Sequence, residues 1–386
     1  MIDRQDLVAK FEQFYGRKPR LFRAPGRVNL IGEHTDYNGG FVLPMAIEKE
    51  TYVAAAERKD RLIRVHSVNL GESSEFDLDV ETKREKGFWL NYVEGMARLL
   101  ERAEFDLTGA DLLVWSNVPG GAGLSSSAAL EVAVGLALSE ISGHTVDRTT
   151  LALMGQQTEH EFVGAKVGIM DQFVSANAEA GHALLLDCRS LEFENVPLST
   201  EDVAVVICNT NVKHELANSE YNTRRAECEE GVRILREFLP DIKQLRDVSI
   251  DEFEKYKNEL PEVIRRRCRH VVTENERTVK AAAALKQNDL KTFGKLMWLS
   301  HASLRDDYEV SCRELDLLVQ IAENYKDVLG ARMTGGGFGG STVNLIERKS
   351  LNEITENISL EYERQTNIAA TVLVSDAGDG ASEIVF

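Results

Sequence analysis

The chain has 386 residues, of which 43% are hydrophobic and 28% are charged, a composition ordinary for a globular protein. This length exceeds what one hydrophobic core usually spans, so two domains are expected, at residues 1–200 and 201–386. The formal net charge is −18, which argues against nucleic acid or an anionic membrane surface as a partner. A local positive site for an anionic substrate remains compatible with this charge.

Neither a disulfide framework nor a membrane anchor is predicted. The five cysteines are odd in number and include no Cys-x-x-Cys pair, as is typical of reduced thiols in the cytoplasm. Residues 1–16 lack the apolar centre of a signal peptide, and no apolar run is long enough to span a bilayer. The most apolar segment, 128–141, is interrupted by Glu131, Ser139 and Glu140, and it is interpreted as a buried helix.

The first half of the chain is predicted to contain both helices and strands. The spacing of apolar residues predicts helices over 3–15 and 89–103, from about 127, and over 147–163. Strand-like runs lie at 20–25, 41–47, 51–58, 62–68 and 110–116.

The second half opens with an apolar strand at 203–209. Helices are then predicted at 219–238, 251–258, 261–284, 289–299 and 311–324. Two strands joined by a glycine-rich turn are expected within 327–347, and a last strand is expected at 368–375. Because helices and strands occur in both halves without strict alternation, the predicted fold class is α+β in two domains.

A glycine- and serine-rich segment, PGGAGLSSSAA at 119–129, lies between a predicted strand and a predicted helix. Its glycines permit a tight turn and close approach to a ligand. Its serines fall at the helix start, where free amide hydrogens and the helix dipole favour an anion, and serine hydroxyls can ligate Mg²⁺. One serine suffices for a helix cap, so three in a row favour a phosphate site. The segment lacks the lysine of the GxxxxGK[ST] loop, and its charge partner must come from elsewhere.

Polar residues crowd a second segment, GRVNLIGEHTDY at 26–37, which follows the first predicted strand. A core strand would not carry so many polar residues, and a solvated loop would not need Leu30 and Ile31 among them. Buried polar groups must be satisfied internally or by a ligand, and a sugar supplies many hydroxyls that both donate and accept. Taken alone, His34 would be a structural histidine and Arg27 half of a surface ion pair.

Two carboxylates stand out in a third region. Glu159 lies on a predicted helix, and Asp171 lies in an apolar neighbourhood formed by Ile169, Met170 and Phe173. The simpler interpretations are a solvated helix face for Glu159 and a helix N-cap for Asp171.

Together these segments resemble the galactokinase family of the galactokinase, homoserine kinase, mevalonate kinase and phosphomevalonate kinase superfamily. Residues 119–128 match P-x-G-x-G-L-x-S-S-A, residues 26–37 match G-R-x-N-L-I-G-E-H-x-D-Y, and residues 168–172 match G-I-M-D-Q. The resemblance extends from about residue 20 to the C-terminus. It implies a two-domain α+β small-molecule kinase with its active site in the interdomain cleft, which phosphorylates α-D-galactose at the C1 hydroxyl using ATP and Mg²⁺.

The resemblance also implies residue roles. Asp171 would accept the C1 hydroxyl proton, with Arg27 beside it and beside the transferring phosphoryl group. Sugar binding would fall to Glu33, His34, Thr35, Asp36 and Tyr221. ATP would contact Ser67, Gly121, Ala122, Gly123, Leu124, Ser125, Ser126 and Ser127, and Mg²⁺ would be held by Ser127 and Glu159. The MTGGGFGG segment at 333–340 resembles the third superfamily motif and would close over the phosphate loop, unless it is a hairpin without ligand contact.

Three alternatives remain open in the sequence. A kinase for N-acetylgalactosamine or another sugar would share the ATP segments. A galactokinase-like sensor would bind both ligands without turnover, but the sensors of this kind are disrupted after the loop serines, which are intact here. Mevalonate or homoserine phosphorylation is disfavoured because those family members lack the Glu-His-x-Asp segment. The oligomeric state is not predicted.

Overall fold

The computed structural model describes residues 4–80, 88–199, 201–213 and 217–385, with the side chains of 213 and 217–219 left aside. Two sheets organise these residues into an α+β fold. The strands of the first sheet are β1 (Arg20–Ile31), β2 (Phe41–Arg58), β3 (Leu62–Ser67), β4 (Glu72–Asp77), β5 (Gly109–Ser116), β6 (His182–Asp187), β7 (Phe193–Pro197) and β12 (Ser382–Ile384). Those of the second sheet are β8 (Val203–Lys213), β9 (Val328–Thr334), β10 (Gly339–Glu347) and β11 (Thr371–Ser375).

The first sheet runs in the order β12-β1-β2-β5-β3-β4, and β6 pairs with β2 and with β7. β3 and β5 are parallel, whereas β1 and β2 are antiparallel with register shifts between Pro25 and Arg27 and between Asn29 and Ile31. The second sheet has the antiparallel order β11-β8-β10-β9.

Helices cover both sheets. Those of the first unit are α1 (Arg4–Tyr15), α2 (Leu90–Arg102), α3 (Ser126–Ile141), α4 (Arg148–Thr158) and α5 (Met170–Asn177). Those of the second unit are α6 (Ala217–Leu235), α7 (Ile250–Tyr256), α8 (Glu262–Lys286), α9 (Leu290–Ser303), α10 (Arg313–Glu323) and α11 (Leu351–Thr366). Across the described ranges, no helix combines the length and apolar character needed to cross a membrane.

The first core lies between the first sheet and helices α2 to α5. α3 is its centre, and it is apolar around most of its circumference because it is buried on nearly every side. Glu131 and Ser139 are nevertheless fully buried within it, at 0% exposure each.

A second core joins the two units. It packs Val28 and Met45 of the first sheet against Ile207 and Val343 of the second sheet and Phe293 of α9. β12 also returns from the end of the chain to pair with β1, so the C-terminal segment contributes to the first sheet. We propose residue 200 as the approximate division between the units, with this strand crossing it.

The predicted elements agree with the structure more closely for helices than for strands. The helices predicted in both halves are present with bounds shifted by a few residues. The runs predicted at 41–47 and 51–58 form one strand, β2, and β1 continues through Arg27 to Ile31 instead of ending before the polar segment. The expectation that a core strand would not carry these polar residues is wrong. Arg27 pairs with Asp171 of the first unit, and Thr334 and Arg332 of the second unit bond the backbone of Asn29.

Candidate active site

A chamber of about 210 Å³ lies between the two units, beside the start of α3. Its lining brings together residues from all three predicted segments and from the glycine-rich hairpin: Arg27, Glu33, His34, Asp36, Gly123, Ser125, Val167, Gly168, Met170, Asp171, Tyr221, Gly335 and Gly336. A wider depression of about 500 Å³ between α10 and α11 contains none of these residues. The convergence of charged groups therefore identifies the smaller chamber as the candidate site.

Asp171 is held in a fixed orientation by three hydrogen bonds. Arg27 donates to it through two nitrogens, Nε to Oδ1 and Nη2 to Oδ2, each at 2.8 Å. Ser125 Oγ donates to Oδ2 at 2.5 Å. Asp171 lies in the first turn of α5, where Ile169 takes the N-cap position, so the simpler interpretation of Asp171 as an N-cap does not apply. Its side chain keeps 30% exposure toward the chamber, which leaves it reachable by a ligand.

Arg27 also joins β1 to the phosphate loop. Its Nη1 donates to the carbonyl oxygen of Gly123 at 2.6 Å, and its backbone N–H donates to that of Leu124 at 3.1 Å. This close approach depends on Gly26, because a Cβ there would lie 2.6 Å from the Leu124 carbonyl oxygen. Arg27 therefore places a positive charge beside a loop whose own sequence contains none.

Ser125 occupies the residue before α3 with a left-handed backbone, φ 61° and ψ 48°, and it makes no side-chain cap bond. Its hydroxyl is directed at Asp171 instead, so the serines do not act as a simple helix cap here. A non-glycine residue in this conformation stores strain, and such strain clusters at functional sites. The first amide hydrogens of α3 therefore receive no cap from this side chain.

The remaining loop residues contribute through their backbone or at the loop's edge. Ala122 and Leu124 are buried, and the Ala122 carbonyl oxygen accepts from Ser341 Oγ at 2.7 Å. Gly121 is exposed, and Ser126 is half-buried as the first residue of α3. The hairpin between β9 and β10 therefore packs directly against the loop, and two of its glycines, Gly335 and Gly336, line the chamber.

Ser127 and Glu159 are neighbours across the start of α3. Burial raises the pKa of Glu159 to about 7, a net value that includes the opposing effect of the Ser127 hydroxyl and a smaller contribution from the charge of Asp171. Beyond this pair, the described residues contain no cluster of three His, Cys, Asp or Glu side chains that could hold a metal. A hydroxyl and one carboxylate beside a phosphate loop fit Mg²⁺, which takes oxygen ligands and binds through few side chains together with substrate phosphates.

The sugar loop, residues 32–38, presents Glu33, His34 and Asp36 to the chamber. Glu33 is 2% exposed and forms an ion pair with Arg332, whose Nη2 lies 2.5 Å from its Oε2. Burial raises the pKa of Glu33, and the charges of Arg332 and Arg27 oppose this. His34 has a left-handed backbone, φ 62°, and its Nδ1 lies 2.8 Å from the Tyr37 hydroxyl.

Asp36 is the least compensated carboxylate of the chamber. Its Oδ1 accepts from the backbone N–H of Tyr37 at 2.9 Å. Burial raises its pKa to about 7, with a further contribution from the charge of Asp171. Space for this carboxylate is provided by Gly168, where a Cβ would lie 1.7 Å from Asp36 Oδ2. A ligand that donates hydrogen bonds to Asp36 would replace the solvation that burial removes.

Of the three remaining predicted site residues, Tyr221 lines the chamber, whereas Thr35 and Ser67 do not. Tyr221 lines the chamber, with its ring centroid 5.5 Å from that of His34. Thr35 is fully buried outside the lining, and its hydroxyl donates to the carbonyl oxygens of Gly32 and Phe41. Ser67 lies at the end of β3 opposite Val114 of β5, the strand that leads to the phosphate loop, and its hydroxyl accepts from the Leu70 N–H.

Sequence reasoning missed two buried partners of the site. Arg332 is 0% exposed on β9, and an arginine between Ala331 and Met333 in a buried strand is the signal that could have revealed it. Glu131 accepts a hydrogen bond from Nε2 of Gln172 at 2.9 Å, and Gln172 follows Asp171 in the sequence. Burial raises the pKa of Glu131 well above its ordinary range. The sequence marked Glu131 only as an interruption of an apolar helix.

Comparisons with known proteins point to one family. A family model for the galactokinase galactose-binding signature matches residues 9–57, and models for the GHMP kinase N-terminal and C-terminal domains match residues 91–179 and 281–364. The chain is 50% identical to a galactokinase of Chloroflexus aggregans over 99% of its own length and 98% of the relative's. For a galactokinase of Roseiflexus the identity is 47%, over 100% and 98% of the two lengths.

Among solved structures, the Lactococcus lactis galactokinase complexed with galactose superposes with a TM-score of 0.95 at 39% identity, covering 98% of this chain and 99% of that one. A mevalonate kinase of Methanococcus jannaschii shares the fold, with a TM-score of 0.65 at 19% identity over 94% and 99% of the two chains. Full-length identity of about one half, together with the conserved geometry of the fold, places the chain in the galactokinase family.

Proposed function

We propose that this galactokinase transfers the γ-phosphoryl group of ATP to the C1 hydroxyl of α-D-galactose, with Asp171 and Arg27 at the reacting centre. The observation that carries the assignment is the two-point Arg27–Asp171 pair, which lies in the chamber directly beside the phosphate loop. Phosphoryl transfer requires positioning and charge stabilisation more than covalent chemistry, and this pair supplies both.

Asp171 is proposed to orient the C1 hydroxyl and to accept its proton as the phosphoryl group arrives. Ser125 and Arg27 fix both carboxylate oxygens, so the hydroxyl meets an acceptor that is already oriented. Arg27 lies between this carboxylate and the loop carbonyls, where its charge would stabilise the negative charge that spreads over the transferring group.

The sugar would be held by Glu33, His34, Asp36 and Tyr221, which line the chamber opposite the loop. Carboxylate oxygens accept from hydroxyl donors, and an epimer with one hydroxyl displaced would leave a buried group without its partner. Thr35 is proposed to support the sugar loop through its two carbonyl contacts instead of touching the sugar.

Ser127 and Glu159 are proposed to hold Mg²⁺, which when bound would neutralise charge on the ATP phosphates. Ser126 and the backbone of residues 121–125 would bind those phosphates at the start of α3. Ser67 is proposed as a nucleotide contact from the neighbouring strand. The five cysteines are all free, which favours the cytoplasm as the location of the enzyme.

The test is ADP release from Mg·ATP with galactose, glucose, N-acetylgalactosamine and L-arabinose offered separately. Rapid release with galactose and little with glucose is expected. Asp171→Ala should abolish release while the protein stays folded, and the exposed-carboxylate variant Asp251→Asn should match the unaltered enzyme. Release with N-acetylgalactosamine and little with galactose would reassign the substrate. Galactose binding without any release would indicate the sensor, and a near-normal rate in Asp171→Ala would remove that residue from the mechanism.

A further inference from the structure

Four side chains behind the chamber form a continuous chain of hydrogen bonds. His34 Nδ1 lies 2.8 Å from the Tyr37 hydroxyl, which lies 2.7 Å from the Tyr308 hydroxyl, which lies 3.2 Å from Cys228 Sγ. Tyr308 and Cys228 belong to the second unit and are 0% and 1% exposed. The chain therefore runs from a side chain in the chamber wall to the buried core of the other unit.

The hydrogen on His34 decides what this residue can offer a sugar. Burial lowers the pKa of His34 to about 3, so the ring is neutral and carries one hydrogen, on Nδ1 or on Nε2. Nδ1 faces Tyr37, and the buried Nε2 has no hydrogen-bond partner of good geometry among the described residues. If Nδ1 accepts from Tyr37, Nε2 is a donor; if Nδ1 donates, Nε2 is an acceptor.

Tyr308 and Cys228, at the buried end of this series of hydrogen bonds, decide which group donates in each bond. Tyr308 can donate to the Tyr37 oxygen at 2.7 Å or to the Cys228 sulfur at 3.2 Å, and sulfur is the weaker acceptor. Once Tyr308 donates to Tyr37, the Tyr37 hydrogen is left for His34 Nδ1. This direction places the His34 hydrogen on Nε2.

We propose that Tyr308 and Cys228 are positioning residues that fix His34 as a hydrogen-bond donor, through Nε2–H, to one hydroxyl oxygen of the sugar. This inference rests on the proposed sugar site. With this assignment the sugar loop offers the sugar both an acceptor and a donor, because Asp36 accepts a hydrogen bond from one hydroxyl and His34 donates one to another. A sugar position that faces His34 must then present an acceptor, and it need not present a donor.

Paired substrate analogues test the polarity directly. Galactose modified at C2, C3, C4 or C6 would be assayed as the deoxy sugar, which loses both functions, and as the deoxyfluoro sugar, which keeps an acceptor. At one position we expect the fluoro analogue to retain its KM within a few-fold and the deoxy analogue to lose about three- to tenfold, the usual net contribution of one hydrogen bond. If no position separates the two analogues in this way, His34 does not donate to the sugar.

Variants test the role of the chain. Tyr308→Phe should raise the KM for galactose with kcat nearly unchanged, and it should reduce the difference between the fluoro and deoxy analogues. Cys228→Ser keeps a donor at the end of the chain and should preserve that difference. The matched control is Tyr362→Phe, which removes a buried hydroxyl that donates to Thr210 in the same unit, outside the chain. An equal KM increase for all analogues in Tyr308→Phe would reduce Tyr308 to a packing role and overturn the proposal.

A second readout does not depend on turnover. Nitrogen-15 NMR of the histidine rings, with the His34 signal assigned by its loss in His34→Gln, reports which nitrogen carries the hydrogen. The Nε2–H form is expected in the unaltered enzyme, and a mixture of both forms is expected in Tyr308→Phe. A pure Nδ1–H form in the unaltered enzyme would overturn the proposal even if galactose is the substrate, whereas absent galactose turnover with the Nε2–H form would count against the proposed function alone.

Discussion

The sugar loop and the phosphate loop face the same chamber, but they are held in place differently. Residues of the second unit fix the sugar loop: Glu274 accepts from the Gly32 N–H at 3.0 Å, His270 Nε2 lies 3.1 Å from the Glu33 carbonyl oxygen, and Arg332 pairs with the Glu33 carboxylate. Each of these contacts joins positions more than two hundred residues apart in the chain.

The phosphate loop takes its turn from its own residues. Gly123 and Ser125 take positive φ angles of 74° and 61°, which turn the chain into α3. The contacts that hold the loop run through its carbonyl oxygens, from Arg27 and Ser341, so its amide hydrogens can serve an anion. The turn of the phosphate loop is thus encoded locally, with support from Arg27 of the first unit and Ser341 of the second, whereas several contacts from the second unit fix the sugar loop. Changes to the packed side chains should therefore affect galactose and ATP unequally.

The largest effect is expected where the two loops meet, at Arg27. Arg27→Ala removes both hydrogen bonds to Asp171 and the contact to Gly123, and kcat should fall on the order of 10³-fold, as for other arginines that stabilise phosphoryl transfer. Steady-state kinetics with each substrate varied would measure this, with the exposed Arg233→Ala as the control. An unchanged kcat with a raised KM would assign Arg27 to uniform binding instead.

Loss of the buried Arg332–Glu33 ion pair should affect the sugar loop and leave the phosphate loop nearly unchanged. Arg332→Met leaves the Glu33 carboxylate buried without its partner, so the free energy of unfolding should fall by about 3–5 kcal/mol. The KM for galactose should rise while the KM for ATP changes little. Chemical denaturation and two-substrate kinetics check both expectations.

The double variant Arg332→Met/Glu33→Gln is the control for charge. It removes the unpaired carboxylate and should recover much of the lost stability without recovering galactose affinity. An equal rise in both KM values for Arg332→Met would show that the two loops are not supported separately.

The difference between the loops also explains what the sequence could predict. The phosphate loop is recognisable because its glycines and serines are contiguous, and the structure places the glycines between β5 and α3 and the serines at the start of α3, as predicted. The bounds of β1 were not predictable by the same reasoning. Arg27 looks foreign to a strand until its partner Asp171 is known, and Arg332 from β9 reaches the same strand by donating to the backbone carbonyl of Asn29.

Glu131 and Arg332 illustrate the same limit. Each is a charged residue inside an apolar element, and this pattern in the sequence indicates that the residue has a buried polar partner. The partner is distant in the sequence, Gln172 for Glu131 and Glu33 for Arg332, and the spacing of apolar residues does not indicate which residue it is.

A third prediction concerns the space around Asp36. Gly168→Ala would place a Cβ 1.7 Å from Asp36 Oδ2 at the present backbone position, so the carboxylate must move. A displacement on the order of 1 Å in a positioning group can lower activity about 10²-fold. The KM for galactose should rise at least tenfold, and the KM for ATP should be nearly unchanged. Equal galactose affinity in Gly168→Ala would mean that Asp36 tolerates the shift and does not fix the sugar.

The smallest expected effect is a pH dependence that isolates Asp36. Its pKa is about 7 in the folded protein against an ordinary value of 3.8, because burial and the charge of Asp171 disfavour the carboxylate. Between these values the folded state holds a proton that the unfolded state has released, so unfolding free energy should fall as pH rises toward 7, by up to about 1.4 kcal/mol per pH unit, and then level off.

Asp36→Asn keeps the shape of the side chain and removes its titration, so the stability of this variant without ligand should decline less steeply with pH than that of the unaltered enzyme. Glu159, whose pKa is also raised to about 7, titrates in both proteins and cancels in the comparison. Urea unfolding at pH 5, 6, 7 and 8 measures the two slopes. If the unfolding free energies of the two proteins change equally with pH, Asp36 is already ionised in the empty chamber. Its negative charge is then stable there without a bound sugar.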